Sequence, residues 1–162
     1  MVALSLTLPL PPSINSQYVT VGRRRVLSKE AQAFKRDVKK LVDAARIKGT
    51  ITPADEAAMR GSLLGIYLTF HFISPFRRDL DGGLKIALDA VCTALGVDDR
   101  MVVDLHLTKQ IDPLNPRLEF ELEVIESWTF DPQYVLLADP GDDSDDPHSV
   151  ELAKEDGPFS GG

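Results

Sequence analysis

Residues 62–73 constrain the fold most. Leu64, Ile66, Leu68, Phe70 and Phe72 would share one face of an extended segment, and Tyr67, Thr69, His71 and Ile73 contribute to the other. Successive side chains of a strand point to opposite sides. Apolar groups on both sides predict a strand inside a sheet rather than at its edge. Pro75 ends the segment. His71 is expected at the strand surface or the core's edge, not as a ligand.

Other elements fall into place around it. Val2, Leu4, Leu6 and Leu8 alternate with smaller or polar residues, which predicts a half-buried first strand closed by Pro9, Pro11 and Pro12. A short hairpin is expected between Tyr18 and Val26, with Gly22 at its turn. Ser28 is a good N-cap for a helix over 29–47, whose apolar stripe runs Ala31, Phe34, Val38, Leu41, Ala45. Residues 49–61 read as a polar connector with, at most, a helical turn at 55–58. Leu84, Leu88, Val91 and Leu95 predict a second helix that Gly96 terminates. Two more alternating strands follow, over 101–110 and along Leu118, Phe120, Leu122 and Val124. The expected class is α+β, with a mixed sheet of about four strands and two main helices on one face.

Between the central strand and the second helix lies Arg77-Arg78-Asp79-Leu80-Asp81-Gly82-Gly83, and beyond that helix comes Asp98-Asp99. On extended chain, residues i and i+2 face the same way, so Asp79 and Asp81 present two carboxylates together. Lys85 follows Asp81 by four residues and is an i, i+4 neighbour of Asp89. Carboxylate oxygens suit Mg²⁺ or Mn²⁺, which generate hydroxide and neutralise phosphoryl charge. Lys85 would stabilise the transition state. Gly82 and Gly83 would let a phosphate approach the helix N-terminus. Arg77 and Arg78, together with Arg23, Arg24 and Arg25 at the hairpin tip, would hold phosphates. Each feature has an ordinary reading: Asp81 as an N-cap, Lys85–Asp89 as a surface ion pair, Asp98-Asp99 as a polar loop. Their conjunction around one helix favours phosphodiester hydrolysis. A four-turn helix spans roughly 20 Å. The two acidic pairs therefore meet only if the chain turns back or a second subunit supplies one of them.

Composition bounds the alternatives. Apolar content of 43% supports a real core, and the single Cys92 allows no internal disulfide. No apolar run approaches the ~20 residues of a membrane span, and a cytoplasmic protein is expected. The net charge of −7 sits in the tail: residues 139–162 carry eight acidic groups and one lysine, leaving 17 of each sign before them. Residues 22–48 hold ten Lys or Arg against three acidic groups, a distribution compatible with nucleic acid. The expected divisions are a domain at 1–126, an apolar extension at 127–138 and a disordered tail at 139–162.

Three stretches resemble the RusA family of Holliday-junction resolvases. They are Leu6 to Asn15 with Tyr18; Arg77-Arg78-Asp79-Leu80-Asp81 with Lys85 and Asp89-Ala90; and Asp98-Asp99 with Val102-Val103-Asp104 and Lys109. The resemblance implies a homodimer, from a bacterium or a phage, that cuts two strands of four-way junction DNA symmetrically with Mg²⁺ or Mn²⁺. It places the catalytic set on Asp79, Asp81, Lys85 and Asp99, with Asp79, Asp81 and Asp99 on the metal and Asp98 the second choice for the third carboxylate. Gly82 replaces the family's usual Asn, the 89–98 segment is slightly shorter, and nothing after Glu126 has a counterpart. The acidic tail would compete for the DNA surface or recruit a protein partner. A non-catalytic junction-binding module and a phosphohydrolase of small substrates are the competing functions.

Overall fold

The computed structural model describes residues 2–128. The apolar cluster of the predicted extension beyond Trp128 and the acidic tail lie outside the described residues. Four strands form one sheet in the order β1 (Val2–Leu8), β6 (Arg117–Ile125), β4 (Leu63–Phe72), β5 (Val102–Ile111). β6 runs antiparallel to both β1 and β4, whereas β4 and β5 are parallel. The class is α+β with a mixed sheet, as expected, and β4 is an interior strand.

Register explains the core. Leu6 pairs with Phe120, Phe120 with Leu68, and Leu68 with Leu107, so one layer of apolar side chains crosses all four strands. Leu64, Ile66, Leu68, Phe70, Leu118, Phe120 and Leu122 are buried in one cluster with the helices. The other sheet face is polar. Tyr67 is half-buried there: its hydroxyl donates to Glu123 at 3.0 Å and its ring stacks on His106 at 4.8 Å. Its neighbour His71 lies 3.3 Å from Glu119. The apolar groups on the second side of β4 are thus accommodated by cross-strand neighbours.

The helices follow their patterns with two corrections. α1 (Lys29–Ile47) starts where predicted, with the Ser28 side chain accepting from the Ala31 N–H at 3.1 Å. Its buried stripe passes through Val42, fully buried, rather than Leu41, which is 37% exposed. Val38 to Val42 is an i, i+4 step that keeps the stripe toward its neighbours. α3 (Leu84–Leu95) buries Ile86, Ala87, Ala90, Val91 and Leu95, while Leu84 and Leu88 are only half-buried. It packs along α1 as well as on the core, so two adjacent stripes are covered instead of one.

The predicted connector holds a nine-residue helix, α2 (Pro53–Gly61). Thr52 and Asp55 form a reciprocal capping box, with Pro53 in the first turn and Met59 fully buried. Arg46 joins all three helices. Its guanidinium bonds Glu56 of α2, Asp43 of α1 at 2.8 Å, and the Ala94 carbonyl near the end of α3 at 2.8 Å. The hairpin is formed by β2 (Tyr18–Val21) and β3 (Arg24–Leu27), with Gly22 at φ 62° in the turn.

The loop before α3 is set by a close approach. A Cβ on Gly83 would stand 2.5 Å from Cγ of Pro11 and 3.5 Å from the Phe70 ring. The glycine is needed because the proline-rich loop after β1 presses on the helix entrance. Gly83→Ala should cost about 2 kcal/mol as an overpacking change, read as a lower urea midpoint with an unchanged slope. Arg46→Ala should also cost about 2 kcal/mol, from charge-assisted bonds partly screened at the surface. A midpoint unchanged from wild type would show that Arg46 does not hold the helices together.

Candidate active site

The Asp79–Gly83 loop is clamped from three directions. The Gly82 N–H donates to the Asp79 carbonyl at 3.3 Å, and the Leu84 N–H to the Asp81 carbonyl at 3.0 Å. Gln17, 4% exposed, donates from Nε2 to the Gly82 and Pro12 carbonyls, both at 3.1 Å. Lys109 on β5 donates to the Arg78 carbonyl at 2.8 Å and the Pro75 carbonyl at 3.3 Å. Leu80 packs against the core between the two aspartates. The loop is therefore fixed on rigid elements, as a site with positioned charges requires.

Asp79 and Asp81 are exposed, and neither carboxylate has a hydrogen-bond or ion-pair partner among the described residues. Asp81 does not cap α3: the N-cap is Gly83, without any side-chain bond. The ordinary explanation for an aspartate at a helix entrance fails here. Gly83 has its space filled by Pro11, so its lack of a side chain serves packing.

At the far end of α3 the chain turns back. Gly96 adopts φ 68°, ψ 36° and closes the helix, with its N–H reaching the Thr93 carbonyl. The return carries Asp99 to the helix flank. Lys85 Nζ bonds Asp89 Oδ1 at 2.9 Å and Asp99 Oδ2 at 3.0 Å. Asp89 and then Asp99 raise the Lys85 ammonium well above the ordinary lysine range. The Lys85 side chain is 68% exposed. Such pairs add little stability; their effect is to hold a permanent cation in one orientation.

The adjacent aspartates take different partners. Asp98 caps the turn Asp99–Met101 by accepting from the Arg100 N–H at 2.9 Å, and it also binds the Arg100 guanidinium. Arg100 holds its carboxyl below the usual range. Asp99 alone of the two reaches Lys85. A pocket of about 240 Å³ beside them is lined by Asp89, Cys92, Thr93, Val97, Asp98 and Asp99. Burial, then the charges of Asp99 and Asp89, push the Cys92 thiol up to about 11. It is a poor nucleophile at neutral pH.

The full acidic set is not assembled within the described chain. No group of three His, Cys, Asp or Glu side chains there could hold a metal ion. Lys85, Asp89 and Asp99 are brought together; Asp79 and Asp81 lie in successive turns at the helix entrance, not on the extended chain expected to align them. The donor chemistry of that pair still suits Mg²⁺ or Mn²⁺, since magnesium takes one or two protein carboxylates and completes its shell with water and phosphate.

The arginines divide. Arg77 is exposed without a described partner, as are Arg23 and Arg24 near the hairpin tip. Arg25 lies over the Tyr18 ring at 4.5 Å. Arg78 turns inward, donates to the Pro11 carbonyl and lies 5.3 Å from the Phe72 ring centre. Burial lowers its pKa. Gln17 was missed in the sequence because nothing local marks a buried glutamine in a polar stretch. Lys109 matched a family position, but its clamping role depends on a contact 31 residues away.

No family model matches the chain. Comparison with curated proteins finds relatives named crossover junction endodeoxyribonuclease RusA. The protein from Escherichia coli O139:H28 is 32% identical over 124 residues, covering 75% of this chain and 93% of the relative. That from Escherichia coli K12 is 32% identical over 120 residues, covering 73% and 92%. That from Enterobacteria phage 82 is 30% identical over 119 residues, covering 72% and 91%. Identity of 30–32% over more than nine-tenths of these relatives shows the family: the chain belongs to the RusA family of crossover junction endodeoxyribonucleases.

Proposed function

We propose that this chain is a Holliday-junction resolvase: a metal-dependent endonuclease that hydrolyses phosphodiesters symmetrically in four-way DNA as a homodimer. Its setting would be the cytoplasm of a bacterium or of a phage's host. The observation that carries the reading is that the exposed carboxylates of Asp79 and Asp81 have no partner among the described residues, on a loop held by Gln17, Lys109 and Pro11. Exposed carboxylates without partners contribute nothing evident to stability. Their rigid placement, six and four residues ahead of the Lys85 ammonium, suits recognition of a cation and a phosphate.

Asp79 and Asp81 would hold Mg²⁺ or Mn²⁺, with Asp99 as the third carboxylate of the set. When bound, the ion supplies a more acidic attacking water and neutralises phosphoryl charge. Lys85 places a permanent positive charge where the phosphoryl oxygens gain charge, and Asp89 and Asp99 orient it. Arg77 and the hairpin arginines Arg23, Arg24 and Arg25 bind flanking phosphates. Arg78 adds to the positive field while tying the loop to Pro11. The acidic tail is proposed to bind a protein partner or to compete with DNA for this surface.

Two experiments test the reading. Wild type should nick a synthetic four-way junction with Mg²⁺ and fail to do so in EDTA. Asp81→Asn should lose at least 100-fold in cleavage while keeping junction affinity. Equal nicking by both proteins removes Asp81 from the mechanism. Junction binding without nicking at any divalent ion favours a non-catalytic module, and nucleotide hydrolysis without junction binding favours a small-substrate phosphohydrolase.

The raised pKa of Lys85 makes a separate prediction. Its charged form is favoured, so the ammonium persists through neutral and mildly alkaline pH and is lost only as pH rises through the raised value. Replacing Asp89 and Asp99 by Asn should bring the Lys85 side-chain titration, followed by NMR, down toward the ordinary lysine range. An unmoved titration would show that the carboxylates do not set its charge.

A further inference from the structure

A groove of about 400 Å³ runs between α1 and α3, outside the acidic cluster. Lys35, Arg36, Lys39 and Arg46 line its α1 side. Lys35, Lys39 and Arg46 follow helical spacing along one edge of α1, over about 16 Å of helix. The α3 side is formed by Ala90, Thr93 and Ala94, small groups that leave the cations accessible. Among the described residues no carboxylate lines the groove, although Asp43 and Glu56 bond Lys39 and Arg46.

The four cations are not equally satisfied. Lys39 pairs with Asp43 at 2.6 Å, and Arg46 is held by Asp43 and Glu56. Lys35 and Arg36 have no partner among the described residues. Two unneutralised cations thus stand beside two more in one groove, an arrangement that favours an anion. Thr93 also lines the pocket that holds Asp89, Asp98 and Asp99, so the basic groove and the acidic pocket share one wall on α3.

We propose that this groove is a phosphate track, which takes the sugar–phosphate backbone of the DNA segment next to the strand presented to the carboxylates. Lys35 and Arg36 are its principal contacts. The inference rests on the reading of the chain as a junction endonuclease and adds to it a DNA path that runs along α1 rather than only over the loop and hairpin arginines. Phosphate contacts of this kind position the nucleic acid without reading its sequence.

The test measures binding of a fluorescent four-way junction by the full chain in EDTA, between 50 and 300 mM salt. Three proteins are compared: wild type, Lys35→Ala/Arg36→Ala, and a control, Lys40→Ala/Lys48→Ala, that removes equal charge from α1 and its C-cap outside the groove. Thermal unfolding verifies that all three fold. Loss of two phosphate contacts per protomer, four in the proposed homodimer, should reduce the magnitude of the log–log salt slope by roughly 4. The groove variant should lose at least tenfold in affinity at 100 mM salt, with the control within about threefold of wild type. A groove variant that matches the control in affinity and slope, while wild type binds, overturns the phosphate track alone. Absence of junction binding by wild type overturns the endonuclease reading and the track with it.

Discussion

The arrangement depends on the Lys85 ammonium being shared between Asp89 and Asp99. Asp89 is supplied by the helix itself, one turn along. Asp99 is supplied only because the chain reverses at Gly96 and returns along the flank of α3. A right-handed helix continued past residue 96 would carry the aspartate away from the lysine. The left-handed glycine, the short turn capped by Asp98 and the start of β5 act together: they fix where a strand leaves the helix and, with it, where one carboxylate stands.

The second constraint is packing at the opposite end of the same helix. Pro11 lies so close to Gly83 that a methyl group does not fit. The loop after β1, the entrance of α3 and the buried Gln17 are locked together there. Both ends of α3 are thus determined by contacts distant in sequence, and both present carboxylates. This explains how a small α+β domain displays charge rigidly. The reversal after Gly96 returns Asp99 to Lys85 in the first turn of the helix, while the sheet and the proline-rich loop hold its entrance.

Much of this was legible before the structure. The strands announced themselves by alternation, because one face of each had to meet the core and the other the solvent or its neighbours. α1 was bounded exactly, since Ser28 is a strong cap and the apolar period is sustained. The stripe positions were less certain: 100° per residue leaves Leu41 and Val42 nearly equivalent until a neighbour selects one. α2 was hidden because its capping box uses Asp55 and only Met59 is fully buried, so there was little apolar period to read. The acidic motif could be identified from spacing and resemblance, and the Asp98/Asp99 ambiguity could not, because adjacent residues point apart and only the turn geometry decides which faces the lysine. The inward rotation of Arg78 was equally invisible, as Arg77-Arg78 reads as two equivalent cations until the Phe72 ring and the Pro11 carbonyl claim one of them.

The charges also have a consistent logic. A domain of balanced charge does not attract DNA through its net charge; it must separate its signs in space. The structure does so. Acidic groups occupy the open sheet face at Glu119, Glu121, Glu123 and Asp104, and the two ends of α3. Basic groups follow one edge of α1 and the hairpin. On the proposed reading, a polyanion would be held by the cations left without partners among the described residues, such as Lys35 and Arg36, while Asp43 and Glu56 already bond Lys39 and Arg46. Carboxylates facing a phosphate are repulsive unless a cation lies between them. On that reading, the repulsion that would expel DNA from bare aspartates would make binding at Asp79 and Asp81 conditional on a divalent ion. Lys85, held by Asp89 and Asp99, would relieve it in part. The need for a metal, on the proposed reading, would come from two carboxylates, without partners among the described residues, standing where a phosphate backbone passes.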